Sequence, residues 1–184
     1  MTTTRGYHHG DLRRALLEAA VQAIGESGPA ALSLRDLARR AGVSHAAPAH
    51  HFGDKAGLLT ALAVEGFDLL AAALDRADGD LLAAGVAYVR FAVGHRAHFE
   101  VMFSPGLYHG DDPAVLAARS RAWAPLRSGI AALPGGSERD ALAAWSIVHG
   151  FATLWLAGAL PPGIDPDPEV AARSVIRRLF EPGE

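Results

Sequence analysis

Apolar residues return every three to four positions along most of this chain, the period of a helix, and β-branched alternation of period two is absent. Leu12, Leu16, Ala19, Ala23 and Ile24 mark the inward stripe of a first helix, which the segment "GESGP" ends. Ser33 and Asp36, in the spacing S-x-x-D of a capping box, open a second, short helix over 33–41 with Leu34, Leu37 and Ala38 facing inward. Gly42 can take the left-handed conformation that stops it. Ser44 is expected to cap a third helix over 45–51, closed by Phe52-Gly53. Asp54 then caps a fourth, running through Leu58, Leu59 and Leu62 to about residue 77. Further helices are predicted at about 80–103, 114–132, 138–159 and 169–180, separated by "SPGLYHGDDP", "LPGGS" and "PPGIDPDP". Of the eleven prolines only Pro48 and Pro125 fall inside helical patterns, and Pro125 is expected to kink or split its helix.

The second and third helices, joined through Ala41-Gly42-Val43, have the dimensions of a helix-turn-helix, whose second helix can enter a DNA major groove. With Ser44 as cap, Pro48 becomes the fourth helical residue and forfeits only the first intrahelical bond. Its ring can then pack inward, with Phe52 anchoring the helix end. Small Ala46, Ala47 and Ala49 let the backbone approach a partner closely, and His45 and His50 are long enough to reach base edges or phosphates.

Composition narrows the class. Half of the 184 residues are hydrophobic, enough for a substantial core, yet no run of about 18 apolar residues indicates a membrane span. The start "MTTTRGYHHGDLRR" lacks the apolar centre of a signal peptide, so a cytoplasmic protein is expected. Without cysteine there is no disulfide framework, thiolate nucleophile or thiolate metal site. Residues 1–60 carry seven Lys+Arg against five Asp+Glu, whereas 61–184 carry ten against fifteen, and five of the nine histidines sit in the first part. Such asymmetry suits an anionic partner for the N-terminal third, though chance variation in surface charge produces the same figures.

The segment from Tyr7 to Ala63, with its "SLRDLARRAGVS" run and "HHFGDKAGLL" ending, resembles the N-terminal domain of the TetR family of transcriptional regulators. Farther on, "AWSIVHGFATLWLAG" resembles the Trp-His-Gly (WHG) signature of a C-terminal domain in one subgroup of that family. The resemblance implies an all-α chain: a three-helix helix-turn-helix DNA-binding domain at 1–56, then a helical ligand-binding and dimerisation domain at 57–184. It implies a homodimeric repressor, released from double-stranded DNA when a small-molecule effector binds. By matching position, Ser33 and Ser44 would touch phosphates at helix N-termini, Arg35 would also bind DNA, and Lys55, the single lysine, would contact a phosphate at the start of the fourth helix. His45, Ala46, Ala49 and His50 would face the groove, and His51 would reach the backbone or pack against it. Position 49 departs from the family, which usually has tyrosine there. The loss shifts expected affinity toward an N-terminal arm of Arg5, Tyr7, His8 and His9.

In the C-terminal part, Phe91, His95, His98, Phe99, Met102, Phe103 and Trp123 offer apolar walls with a few polar handles, and Trp145 and His149 lie one turn apart. They are the candidate ligand pocket, although a plain helical core reads the same way. The helix over 138–159 is apolar or small nearly all round, with Ala143, Ile147, Gly150, Leu154 and Ala157 on one stripe, so it must be covered; the resemblance implies that with 169–180 (Val170, Ile176, Leu179, Phe180) it forms half of a four-helix dimer interface. No catalytic residue, metal site or cofactor is expected. Ser104, His109, Asp111 and Asp112 share a loop but match no nucleophile elbow, phosphate loop or carboxylate pair, and the histidines form no H-x-x-x-H set with an accompanying carboxylate.

Overall fold

The helical period is realised throughout: the computed structural model describes residues 9–178, and all regular structure among them is helical. Helix α1 (His9–Ala31) leaves the helical region at Gly28 (φ 76°, ψ 163°), and Pro29 opens a last separate turn. Helix α2 (Leu34–Arg40) stops as its sequence requires. Gly42 takes φ 67°, while Val43 N–H reaches Ala38 O at 3.0 Å and Ala41 N–H reaches Leu37 O at 2.9 Å. Helix α3 (Ala47–Phe52) ends at Gly53 (φ 77°), and α4 (Lys55–Asp75) begins where Asp54 Oδ1 accepts Gly57 N–H at 2.8 Å. Next come α5 (Leu81–Gly94), α6 (Arg96–Met102), α7 (Pro113–Ala131), α8 (Glu138–Leu156) and α9 (Pro168–Arg177).

Four local expectations need correction. The capping box at Ser33 does not form: Ser33 makes no side-chain cap bond, because Arg39 and Arg40 take the Asp36 carboxylate at 2.5 and 2.7 Å. Guanidinium bonds to an ionised carboxylate are stronger than those of a neutral amide, so the arginines win. The same S-x-x-D spacing does close at α8, where Asp140 accepts from Ser137 N–H at 2.9 Å and Ser137 Oγ at 2.6 Å. Ser44 does not cap α3. Ser44–Ala47 forms a turn (Ala47 N–H to Ser44 O, 3.0 Å), Ala46 holds the cap position, and Pro48 lies in the first turn, where a missing N–H costs nothing. The segment 80–103 is two helices, since the chain leaves helical geometry at His95 (φ −123°, ψ 44°) directly after Gly94, a poor helix former. Helix α7 runs through Pro125 without splitting. The arm residues Arg5, Tyr7 and His8, the His9 side chain, and Leu179 and Phe180 lie outside the described residues.

The chain gathers into two compact units, Met1–Val64 with Ala97–Val115, and Glu65–Arg96 with Leu116–Glu184. In the first, α1 packs on α2 and α3 around Leu16, Ile24, Leu37, Pro48, Leu58, Leu59 and Leu62, all nearly inaccessible to solvent. Burying each leucine contributes roughly 1.5–3 kcal/mol. From Ala97 on, helix α6 falls in the same unit, with Phe99, Val101 and Met102 buried. The loop after it is pinned by Tyr108 Oη donating to Met102 O (2.9 Å) and by His109 N–H donating to Thr60 Oγ1 (3.0 Å). In the second unit α5 packs on α8 and α9. Gly85 makes that crossing close, since a Cβ there would lie 2.8 Å from Ile176 Cδ1 and 3.3 Å from Val148 Cγ1. Helix α4 is the one described helix long and apolar enough to cross a membrane; its buried leucines mark it as a core helix.

Candidate nucleic-acid interface

Helix α3 is amphipathic over only six residues. Its Pro48 ring is fully buried, Ala47, His51 and Phe52 are half-buried, and Ala49 and His50 are exposed. His45 and Ala46, in the turn leading into it, are exposed as well. The outward face therefore consists of two alanines and two histidines: little bulk, with imidazole nitrogens able to donate or accept. Inside, the Arg13 guanidinium of α1 lies 5.2 Å from the centre of the Phe52 ring, and His51 stands edge-on to His50 at 5.6 Å.

Charge around α2 is sorted by ion pairing. Arg40 bridges Glu26 of α1 (2.8 Å) and Asp36 (2.7 Å). These carboxylates, Glu26 first, hold the Arg40 guanidinium above its ordinary range, and Arg40 holds both carboxyls below theirs. Arg39 also leans on Asp36. Arg35 makes no ion pair among the described residues and stands exposed beside exposed Ser33, leaving its full charge for an external anion. Lys55 is half-buried, and its Nζ donates to Ala30 O at 2.6 Å. Ser44 is exposed in the turn ahead of α3.

The second unit holds a polar aromatic cluster built around a residue that sequence reasoning missed. Tyr88 of α5, 4% exposed, places its hydroxyl 2.8 Å from His149 Nδ1 and accepts Trp145 Nε1–H at 3.3 Å, both from α8. Trp145 also leans on His149 (ring centres 5.1 Å apart) and meets Trp123 of α7 edge-to-face at 5.9 Å. The available signal was a hydroxyl among the apolar residues of the buried face of α5, since a buried tyrosine needs a partner for its oxygen. Of the other candidate pocket residues, Phe91 is buried beneath exposed His95, stacked at 5.2 Å. Phe99, Met102 and Phe103 belong to the first unit, where Phe99 and Phe103 touch at 4.8 Å. Of the enzyme-like loop residues, Asp112 serves the backbone: its Oδ1 accepts Ala114 N–H at 2.8 Å at the start of α7.

Burial pushes the Tyr88 phenol up and the His149 imidazole down from their ordinary values. A histidine whose folded-state value is depressed binds fewer protons than in the unfolded chain, so stability rises with pH. The contribution is whole above the ordinary histidine value of 6.5 and declines as pH falls through that value toward the lower folded one. Thermal unfolding between pH 7.5 and 5 is expected to show Tm falling on acidification, with a shallower slope in His149→Gln. Equal slopes for the two proteins would contradict this assignment.

Comparison with known proteins places the architecture. Residues 16–62 match the family model described as bacterial regulatory proteins, tetR family, and residues 81–179 match the tetracyclin repressor-like C-terminal domain. That second description is broader than a Trp-His-Gly subgroup. The HTH-type transcriptional regulator BetI of Rhizobium meliloti (strain 1021) is 47% identical over 49 residues, 27% of this chain and 24% of that protein. The chain thus spans about a quarter of the curated relative it matches. A protein of unknown function from Rhodococcus sp. RHA1 superposes with a TM-score of 0.81 at 35% identity, covering 96% of this chain and 97% of that one. The multidrug binding protein EbrR, solved with imidazole, superposes at 0.61 with 25% identity over 97% of both chains. One family model covers the helix-turn-helix and the other more than half of the chain, so this protein belongs to the TetR family of transcriptional regulators.

Proposed function

We propose that the chain is a sequence-specific, homodimeric, cytoplasmic repressor whose residues 1–56 read double-stranded DNA and whose residues 57–184 bind a small effector and pair two copies. The observation that carries the DNA reading is the outward face of α3, from which Pro48 is withdrawn and on which Ala46, Ala49 and His50 stand uncovered. Alanine methyls can meet thymine methyls, and imidazoles can meet base edges or phosphates. Arg35, Ser33 and Ser44 supply backbone contacts beside that face, with His45 and His51 at its margins. Without a tyrosine at position 49, more of the affinity falls to electrostatics, and binding is steeply salt-dependent.

Support for pairing comes from α8. Ala141, Val148, Phe151 and Ala152 are buried within the second unit, while Leu142 and Leu154 are 52% and 47% exposed and Ala143 and Ala157 are uncovered beside them. An apolar outer face of this extent calls for cover, and Val170 of α9 is likewise 51% exposed. The effector reading rests on Trp123, Trp145 and His149, all half-buried around Tyr88, with Phe91 and His95 on the same unit. Such a ligand acts by binding two conformations unequally, and DNA must then weaken the ligand by the same factor.

A gel-shift with the DNA flanking the chain's own gene tests the reading. Binding is expected to survive excess competitor DNA and to weaken linearly in log–log plots against salt. Binding that competitor abolishes would remove the specific function.

A further inference from the structure

We propose that Lys55 is a positioning residue: its ammonium clamps the corner between α1 and α2 and so sets the placement of Ser33 and Arg35. The proposal rests on the DNA-reading function for its consequence, but not for its geometry.

The corner is a weak point of the chain. Gly28 breaks α1, leaving Pro29–Ala31 as a single separate turn, and Leu32 N–H reaches Pro29 O at a long 3.4 Å. One isolated turn is poorly stable by itself, because fixing three residues yields a single hydrogen bond. The last carbonyls of a helix also lack intrahelical partners and carry the negative end of its dipole, and α1 has no basic residue in its last turn. The missing cation comes from 25 residues away, where Lys55 Nζ donates to Ala30 O at 2.6 Å. Two further features hold Lys55 in place for that task. Asp54 caps the first turn of α4 through Gly57 N–H at 2.8 Å, and Gly57 lies so close to the end of α3 that a Cβ would meet Phe52 O at 2.0 Å.

Residue type agrees with this role. Lysine occurs once among the 17 basic residues. A guanidinium is a planar fork suited to carboxylates and phosphates, whereas an ammonium is a compact point charge whose rotatable N–H groups can seek out one carbonyl. Three residues beyond the clamped carbonyl stands Ser33, and two beyond that the exposed cation Arg35, which has no ion pair among the described residues. A slack corner moves both.

Two variants of the full-length protein test the clamp. Lys55→Met keeps the stem and removes the donor and charge; N-acetyl-lysine at position 55 removes the charge but keeps one N–H on the same atom. In Lys55→Met the Leu32 amide is expected to exchange with deuterium about fivefold faster than in the unaltered protein, the equivalent of one net hydrogen bond. Acetyl-lysine, which keeps one donor but not the charge, is expected to exchange at a rate between the two. Operator affinity of Lys55→Met, measured far below its Tm, is expected to fall about fivefold with an unchanged salt slope. Unchanged Leu32 exchange in Lys55→Met overturns the clamp, and acetyl-lysine exchanging as slowly as the unaltered protein overturns its assignment to the ammonium. An operator slope smaller by about one phosphate with exchange unaltered assigns Lys55 to DNA instead, and the clamp is rejected. If the unaltered protein binds no specific DNA, the proposed function fails while the exchange result still decides the clamp.

Discussion

Gly57→Ala is expected to destabilise the protein by about 3 kcal/mol, the upper part of the range for overpacking, although it introduces one of the best helix formers into a helix. In an exposed helix interior the same change gains up to about 1 kcal/mol. Here the new methyl would lie 2.0 Å from the Phe52 carbonyl oxygen and 3.2 Å from its carbon, both backbone atoms that cannot rotate away. Either α3 or the first turn of α4 must move. For a chain of this size that corresponds to a fall in Tm of about 6–12 °C. Gly25 is the matched control: it is helical, exposed and has nothing within 4 Å of its would-be Cβ, so Gly25→Ala is expected to leave Tm level or raise it slightly. Calorimetry on the pair separates steric collision from helix propensity. If Gly57→Ala melts with or above the unaltered protein, the close approach of α3 and α4 is wrong. The end of α3 also carries Phe52 beneath Arg13, so DNA affinity is expected to fall together with stability.

Leu154→Arg is expected to turn the proposed dimer into monomer at micromolar concentration while leaving the fold of the single chain intact. Leu154 is 47% exposed, so an arginine there keeps access to water in the monomer and costs little. Across a two-fold interface the substitution counts twice, placing like charges near each other on surfaces that would otherwise be dry. A buried charge without a partner costs roughly 3–5 kcal/mol, more than a hundredfold in the dimer constant. Sedimentation equilibrium reads the assembly, and the Tm at low concentration reads the fold. Half-site DNA affinity is expected to persist while full-operator affinity collapses, because a single copy presents one recognition helix. A dimer that survives the substitution would move the pairing surface off α8.

The shape of the reading head was written in neighbouring residues. Helix faces, the left-handed Gly42 and Gly53, the inward Pro48 ring and the Asp54 cap all depend on residues within about one turn of each other. The outward placement of Ala46, Ala49 and His50 came instead from matching positions in the family. Local patterns failed where a local bond had a stronger rival. Ser33 lost Asp36 to two arginines, one of them also held by Glu26 from α1, whereas Ser137 faced no such rival and kept Asp140.

What lies far apart in the chain was decided by packing alone. Tyr88 meets His149 across 61 residues, Lys55 reaches Ala30 across 25, and the segment Ala97–Val115 joins the compact unit of the helix-turn-helix. Helical periodicity specifies which face of each helix turns inward. It does not specify which other helix that face will meet or at what depth along its axis. Hydrogen bonds and steric contacts resolve to tenths of an ångström, so the partners of Lys55, Gly57 and Tyr88 exist only once the helices are assembled.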